Sequence, residues 1–293
     1  MKYFPRPLPL PYRVSTLNQL VERSSRSWVT VSFLGAIQGL WMRIRQFAMM
    51  EGSMPRKDYL TALPDASFFQ ECAFICVDLQ QNGDVVDTEP HYITEAQMPD
   101  LWRQMGFGFE DVNDAIRYAV TCCMPNAARI TAACRKLRMP MIFIHWGSRY
   151  SDLIDIDPES RGELYYGPGS ARNAYTPEAH VRPADVLNVQ PGEYVLAKTA
   201  QDSFIGTPLH FMLRNLNVKN LILIGGHTGA CLGKTSKSAK SLGYRTLCVE
   251  DATNNAFESN RIARILECGY DYIVETAALE ALIAVLLEKA ARA

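Results

Sequence analysis

Asp78, Lys198 and Cys231 lie far apart in the chain, yet each stands at or just after the end of a short apolar run. Cys231 follows the turn Gly225-Gly226-His227-Thr228-Gly229 and opens a stretch of helical character, Ala230 to Leu242. A thiol at a helix N-terminus has its thiolate favoured by unpaired N–H groups and the helix dipole, and a nearby lysine adds to this. Such a cysteine can attack a carbonyl carbon, and the amides of a glycine-rich turn can hold the oxyanion that forms. A carboxylate beside it can take the thiol proton and later pass it to a leaving amine, while a lysine stabilises the charged forms. Each residue also has a structural reading: a buried thiol, as for the other seven cysteines, and an ordinary ion pair for Asp78 and Lys198. Convergence in space separates the two readings. A phosphate-binding loop is a poor alternative, because Gly233-Lys234-Thr235 lies inside the expected helix without the preceding glycine spacing.

The elements that would bring the three residues together are legible as alternating strands and helices. Residues 73–79, 140–146, 194–198, 220–226, 245–251 and 270–276 read as six strands, and 113–138, 208–215, 230–242, 256–268 and 277–291 as helices. Runs such as Leu221-Ile222-Leu223-Ile224 lack polar alternation, as strands covered on both faces do. The alternation predicts an α/β fold with a mainly parallel six-stranded sheet between helical layers, and ligands bind such sheets beyond the carboxyl ends of the strands. Asp78, His145 with Trp146, Lys198, the turn before Cys231, and Asp251 all stand there. Gln80, His145, Trp146 and Phe204 are the candidate substrate contacts. A loop from Gly147 to Pro191, with Arg149, Tyr165, Tyr166 and Arg172, suits a lid.

Composition agrees with a small-molecule enzyme. The chain has 293 residues, 48% hydrophobic and 21% charged, with a formal net charge of −1. That balance gives no overall drive toward nucleic acid or anionic lipid. The eight cysteines show no framework spacing and no C-x-x-C, so they read as reduced thiols of a cytoplasmic protein, without zinc. No secretory signal and no apolar stretch long enough to span a membrane is seen. Residues 1–70 stand apart, with nine Lys or Arg against four acids. They open on a proline-rich arm and continue into an amphipathic helix, Trp28 to Met50, whose Phe33, Ile37, Leu40, Trp41, Ile44 and Phe47 are expected to pack on protein. Domains 1–70 and 71–293 follow.

Three segments together resemble the isochorismatase-like cysteine hydrolases. These are Phe74-Ile75-Cys76-Val77-Asp78-Leu79-Gln80, Leu196-Ala197-Lys198-Thr199 with Ser203-Phe204, and Gly225 to Cys231 continuing through Ser238–Tyr244 to Val249–Thr253. The resemblance implies a three-layer α/β/α fold, an oligomer, and a triad of Asp78 as base, Lys198, and Cys231 as nucleophile. It also implies a cis peptide between Gly226 and His227 that aims the His227 and Cys231 amides at the oxyanion. Members of this family without the cysteine cleave vinyl ethers or are inactive, so Cys231 places the chain with amidases and ureide hydrolases. Two departures stand out. The sequence after His145 lacks the second histidine of the nicotinamidase-type metal motif, and the connection from Gly83 to Cys123 is longer than usual. The expectation is a hydrolase of a small amide or ureide, using no metal or cofactor. The alternatives are a vinyl-ether hydrolase with Asp78 as acid, and a scaffold acting through the N-terminal helix.

Overall fold

The computed structural model describes residues 58–81, 92–98, 100–104, 108–148, 150, 154–155 and 182–292. All of them fall in one unit, Met54–Ala293. The helix expected at Trp28–Met50 and the loop residues Arg149, Tyr165, Tyr166 and Arg172 lie outside the described residues.

The strands are β1 (Cys72–Val77), β2 (Gln80–Gln81), β3 (Met141–Trp146), β4 (Arg182–Pro183), β5 (Tyr194–Lys198), β6 (Asn220–Gly225), β7 (Arg245–Thr253) and β8 (Tyr272–Val274). Six of them form one parallel sheet in the order β5-β3-β1-β6-β7-β8, and β2 with β4 makes a separate antiparallel ribbon. The six expected strands are those of the large sheet, with ends shifted by up to two residues. Every residue of β1 and β6 is buried, as their unbroken apolar sequences require.

The helices are α1 (Asp100–Gln104), α2 (Phe109–Tyr118), α3 (Met124–Lys136), α4 (Leu209–Asn215), α5 (Cys231–Ser241), α6 (Arg261–Glu267) and α7 (Thr276–Arg292). Phe74 and Cys76 of β1 face α3 and α7 in a core that includes Ile130, Cys134, Leu279 and Ile283. By strand alternation Ala73, Ile75 and Val77 face the opposite layer, where Leu209 and Leu213 of α4 and Leu232 and Ala239 of α5 are buried. Three layers result. Among the described residues, no helix is long and apolar enough to cross a membrane.

Two expectations need correction. The single helix expected over 113–138 starts at Phe109 and contains a π-helical segment, Ala119–Cys123. Pro125, in the first turn of α3, has no N–H to donate, and its ring would crowd the Thr121 carbonyl; a widened turn accommodates both. The N-terminal boundary at residue 70 is also too late. Phe68 is fully buried in the core, Tyr59 donates to Glu250 at 2.9 Å, and the Thr61 amide donates to the Ile273 carbonyl at 2.9 Å. Residues from about 58 onward therefore belong to the hydrophobic body, because Phe68 and Tyr59 fill it.

The chain builds one half of the sheet as β1, β3, β5 and the other as β6, β7, β8. The winding direction reverses beside β1, which opens a crevice above its carboxyl end.

Candidate active site

Asp78 is the first residue beyond β1, with a left-handed φ of 53°. That conformation costs a non-glycine residue roughly 1–2 kcal/mol, and aspartate is among the types that adopt it. Its amide donates to Ile144 of β3 at 2.8 Å, so its backbone is fixed to the neighbouring strand. On the other side of β1, the turn after β6 is pressed against the Val77 backbone and the Asn254 side chain. A Cβ on Gly225 would lie 2.0 Å from the Val77 carbonyl oxygen, and one on Gly226 would lie 1.8 Å from Asn254 Oδ1. The glycines are there because no side chain fits. The peptide between Gly226 and His227 is cis.

Four amides of this turn are engaged. Gly226 donates to Val77, Thr228 to the Asn254 carbonyl, Gly229 to Asn255 Oδ1, and Ala230 to the His227 carbonyl, at 2.8–3.0 Å. Among the described residues, the amides of His227 and Cys231 take none of these acceptors. Both flank the mouth of α5, where unpaired donors suit a developing negative charge.

Lys198 reaches the crevice from two strands away. β5 and β1 are separated by β3, about 10 Å in all at ordinary strand spacing, so the lysine stem must cross β3 to meet Asp78. It does: Nζ lies 2.7 Å from Asp78 Oδ2, with the Lys198 side chain fully buried and that of Asp78 12% exposed. Beneath the ammonium lies the indole of Trp146, its centroid 4.4 Å from Nζ. The lysine segment is tied to α5 as well. The Ser203 amide donates to Thr235 Oγ1 at 3.0 Å, Thr235 donates to Ser203 Oγ at 2.9 Å, and Ser238 donates to Asp202.

The thiol of Cys231 interacts with both Asp78 and Lys198, so the three residues named from the sequence meet. Burial raises the Asp78 carboxyl above its ordinary range, with the Lys198 ammonium pulling the other way. Burial, reinforced by the Asp78 carboxylate, pushes the Cys231 thiol up to about 12, with Lys198 opposing. Burial thus favours the protonated form of the Cys231 thiol. Desolvation outweighs the helix terminus and the lysine, both of which favour the thiolate.

The other sequence candidates divide. His145, held low by burial and further by Lys198, has its Nδ1 buried with no hydrogen-bond partner among the described residues. Trp146 is at the site, against Lys198. Gln80 spends its side chain on Trp146, accepting from its amide at 2.7 Å and donating to its carbonyl at 3.4 Å. Phe204 is not brought to the triad: its ring stacks on Tyr244 and meets His210, beyond the C-terminal end of α5 and about 15 Å of helix from Cys231. Asp251 accepts from the amide and hydroxyl of Thr276 at 2.8 Å and so starts α7. Asn254 and Asn255, absent from the sequence candidates, brace this turn from the end of β7, Asn254 through its backbone carbonyl and Asn255 through its side-chain Oδ1; the signal was an Asn pair directly after a strand.

A family profile described as Isochorismatase domain matches residues 107–267, more than half of the chain. Among curated proteins, the ureidoacrylate amidohydrolase RutB of Cronobacter sakazakii (strain ATCC BAA-894) is 27% identical over 209 residues, covering 67% of this chain and 81% of that protein. Two solved structures share the fold. A cysteine hydrolase from Pseudomonas syringae pv. phaseolicola 1448A aligns with a TM-score of 0.55 at 17% identity, covering 78% of this chain and 99% of its own. The N-carbamoylsarcosine amidase of Thermoplasma acidophilum aligns with a TM-score of 0.50 at 21% identity, covering 71% and 97%.

Proposed function

The chain belongs to the isochorismatase domain family, and from that premise we propose that it hydrolyses the C–N bond of a small amide or ureide through a covalent intermediate at Cys231. The observation that carries this reading is the buried Lys198–Asp78 ion pair meeting Cys231 at the strand ends. The names of RutB and of N-carbamoylsarcosine amidase, both acting on C–N bonds, support the substrate class.

Asp78 takes the thiol proton as the Cys231 sulfur adds to the carbonyl carbon, and the carbonyl electron pair moves to oxygen. The His227 and Cys231 amides hold that oxyanion. On collapse the C–N bond breaks, and Asp78 protonates the departing nitrogen. Water then adds to the thioester or carbamoyl-thioester with Asp78 as base, the C–S bond breaks, and the thiol is restored. Lys198 compensates whichever of Asp78 and Cys231 is ionised. His145, near enough to Lys198 to be affected by its charge, is the proposed substrate contact. The eight free cysteines suit a cytoplasmic setting, and a homo-oligomer is the expected assembly.

The test is a panel of amides and ureides with ammonia release as the readout, run on the wild type, Cys231→Ala and Cys231→Ser. Turnover by the wild type alone, with an acyl or carbamoyl adduct on Cys231 in intact-mass spectra of a slow substrate, is expected. Substantial activity in Cys231→Ala would end the covalent mechanism and favour acid catalysis by Asp78 on a vinyl ether.

A further inference from the structure

Trp146 occupies the position that Lys198 must pass. It is the register partner of Lys198 on β3, the strand between Lys198 and Asp78. The indole is almost fully buried and presents its face to the ammonium at 4.4 Å. A buried cation with a carboxylate on one side needs a counterpart on another, and the negative face of an indole supplies one, most strongly where water is absent. The backbone of Trp146 is gripped at both of its polar atoms by Gln80. Gln80 sits two residues after Asp78, in the β2–β4 ribbon, where it pairs with Pro183. One short segment thus carries the carboxylate and, through Gln80, the support under the lysine.

We propose that Trp146 is a positioning residue, its ring face holding the Lys198 ammonium across β3 toward Asp78 and Cys231, and that Gln80 acts on the lysine by fixing Trp146. The consequence for turnover rests on the reading of Cys231 as nucleophile; the placement of Lys198 does not. Four titratable groups face Lys198: Asp78 from the end of β1, Cys231 from α5, His145 from β3, and His227 from the turn. Of these, the Cys231 thiolate depends most directly on a fixed positive charge and can be read chemically.

The experiment measures the rate at which the Cys231 sulfur displaces iodide from iodoacetamide, a neutral reagent, in the full chain at pH 8.5, by peptide mass spectrometry. Trp146→Leu keeps an apolar side chain but removes the ring face. Its alkylation is expected to slow about tenfold, equivalent to one unit in the thiol titration, or about 1.4 kcal/mol. Trp146→Phe, which keeps a ring, should stay within about threefold of the wild type. Gln80→Ala should slow the wild type by several-fold and leave the Trp146→Leu rate unchanged, since it acts through the same ring.

A ring that merely fills space predicts the opposite sign, because its removal opens access to the sulfur. An equal or faster rate in Trp146→Leu overturns the proposal, and equal slowing by Gln80→Ala in both backgrounds overturns the role of Gln80. Should Trp146→Leu not fold, the Gln80→Ala rate in the wild type and in Trp146→Phe decides: slowing supports the proposal and no change overturns it. No substrate enters this assay. Amidase activity surviving in Cys231→Ala would sink the proposed function and leave the Trp146 result standing, whereas a silent Trp146→Leu beside an essential Cys231 sinks the positioning role alone.

Discussion

Replacing Lys198 by Met keeps the length and bulk of the stem and deletes only the charge. At the observed 2.7 Å, two unit charges attract by about 6 kcal/mol at an effective dielectric of 20, most of which offsets their desolvation. Leaving the Asp78 carboxylate buried and unpaired would cost about 3–5 kcal/mol. Asp78 can avoid that cost by taking up a proton, so its pKa should rise further above the level to which burial already lifts it. A protonated Asp78 cannot accept the thiol proton, and kcat/KM at pH 7 should fall by at least about 10³. The stability change should depend on pH. A carboxyl whose folded pKa lies above its unfolded value of about 3.9 binds more protons when folded, so its contribution is full at low pH and is lost as pH rises through the folded value. Raising that value further in Lys198→Met makes the loss at neutral pH larger. The stability difference from the wild type should be near zero at pH 4, or favour the variant, and approach about 3 kcal/mol by pH 7.5. Urea unfolding at the two pH values measures it. A difference independent of pH, or activity within tenfold of the wild type, would refute the coupling.

Chelators should leave the hydrolytic rate unchanged, since the metal-ligand spacing is absent after His145; loss of rate with EDTA and recovery with a divalent ion would reverse that expectation. Gly225→Ala should yield no soluble, active protein, because its Cβ would lie 2.0 Å from the Val77 carbonyl oxygen at a φ of 114°; a folded variant with wild-type melting temperature would contradict it. The acid limb of kcat/KM should lie above the ordinary carboxylate range, activity falling as pH drops through the raised Asp78 value. A pH titration of the wild type with a neutral substrate checks this. Removing residues 1–70 should cost several kcal/mol more than removing 1–57, because it also strips Tyr59 and Phe68; urea unfolding of the two truncations measures the difference. Light scattering on the shorter truncation tests whether the Trp28–Met50 helix supports assembly.

The strand ends were legible because two-sided burial leaves unbroken apolar runs, as in β1 and β6, with Asp78 directly after β1 and Cys231 one turn beyond β6. Side-chain direction was less so. Phe204 follows the lysine segment closely, yet its ring turns to Tyr244, since Ser203 is tied to Thr235 and Asp202 to Ser238, which lays the segment along α5. No local pattern encodes that pairing, which joins residues more than thirty positions apart. The break at Ala119–Cys123 had a visible cause in Pro125, but helical periodicity on both sides of it outweighed one residue. The boundary at 70 failed for another reason: the change from basic to β-rich composition lies later than the first buried aromatic residues, Tyr59 and Phe68.

The protonation state of the site is the property least readable from the chain, and it decides when the chemistry starts. A helix N-terminus and a lysine both favour a thiolate, and each can be named from sequence. Burial opposes them, and burial is a property of the assembled crevice. Burial pushes Cys231 up to about 12 and raises Asp78 too, so ionising the thiol costs more in the crevice than a helix terminus and a lysine alone suggest. A carbonyl group seated against the His227 and Cys231 amides changes that balance, because negative charge leaving the sulfur is received by donors already in place. Proton transfer and attack are then favourable together and unfavourable separately. On the proposed mechanism an idle site would keep a thiol that stray electrophiles meet slowly, and the nucleophile would appear only when a substrate is there to consume it.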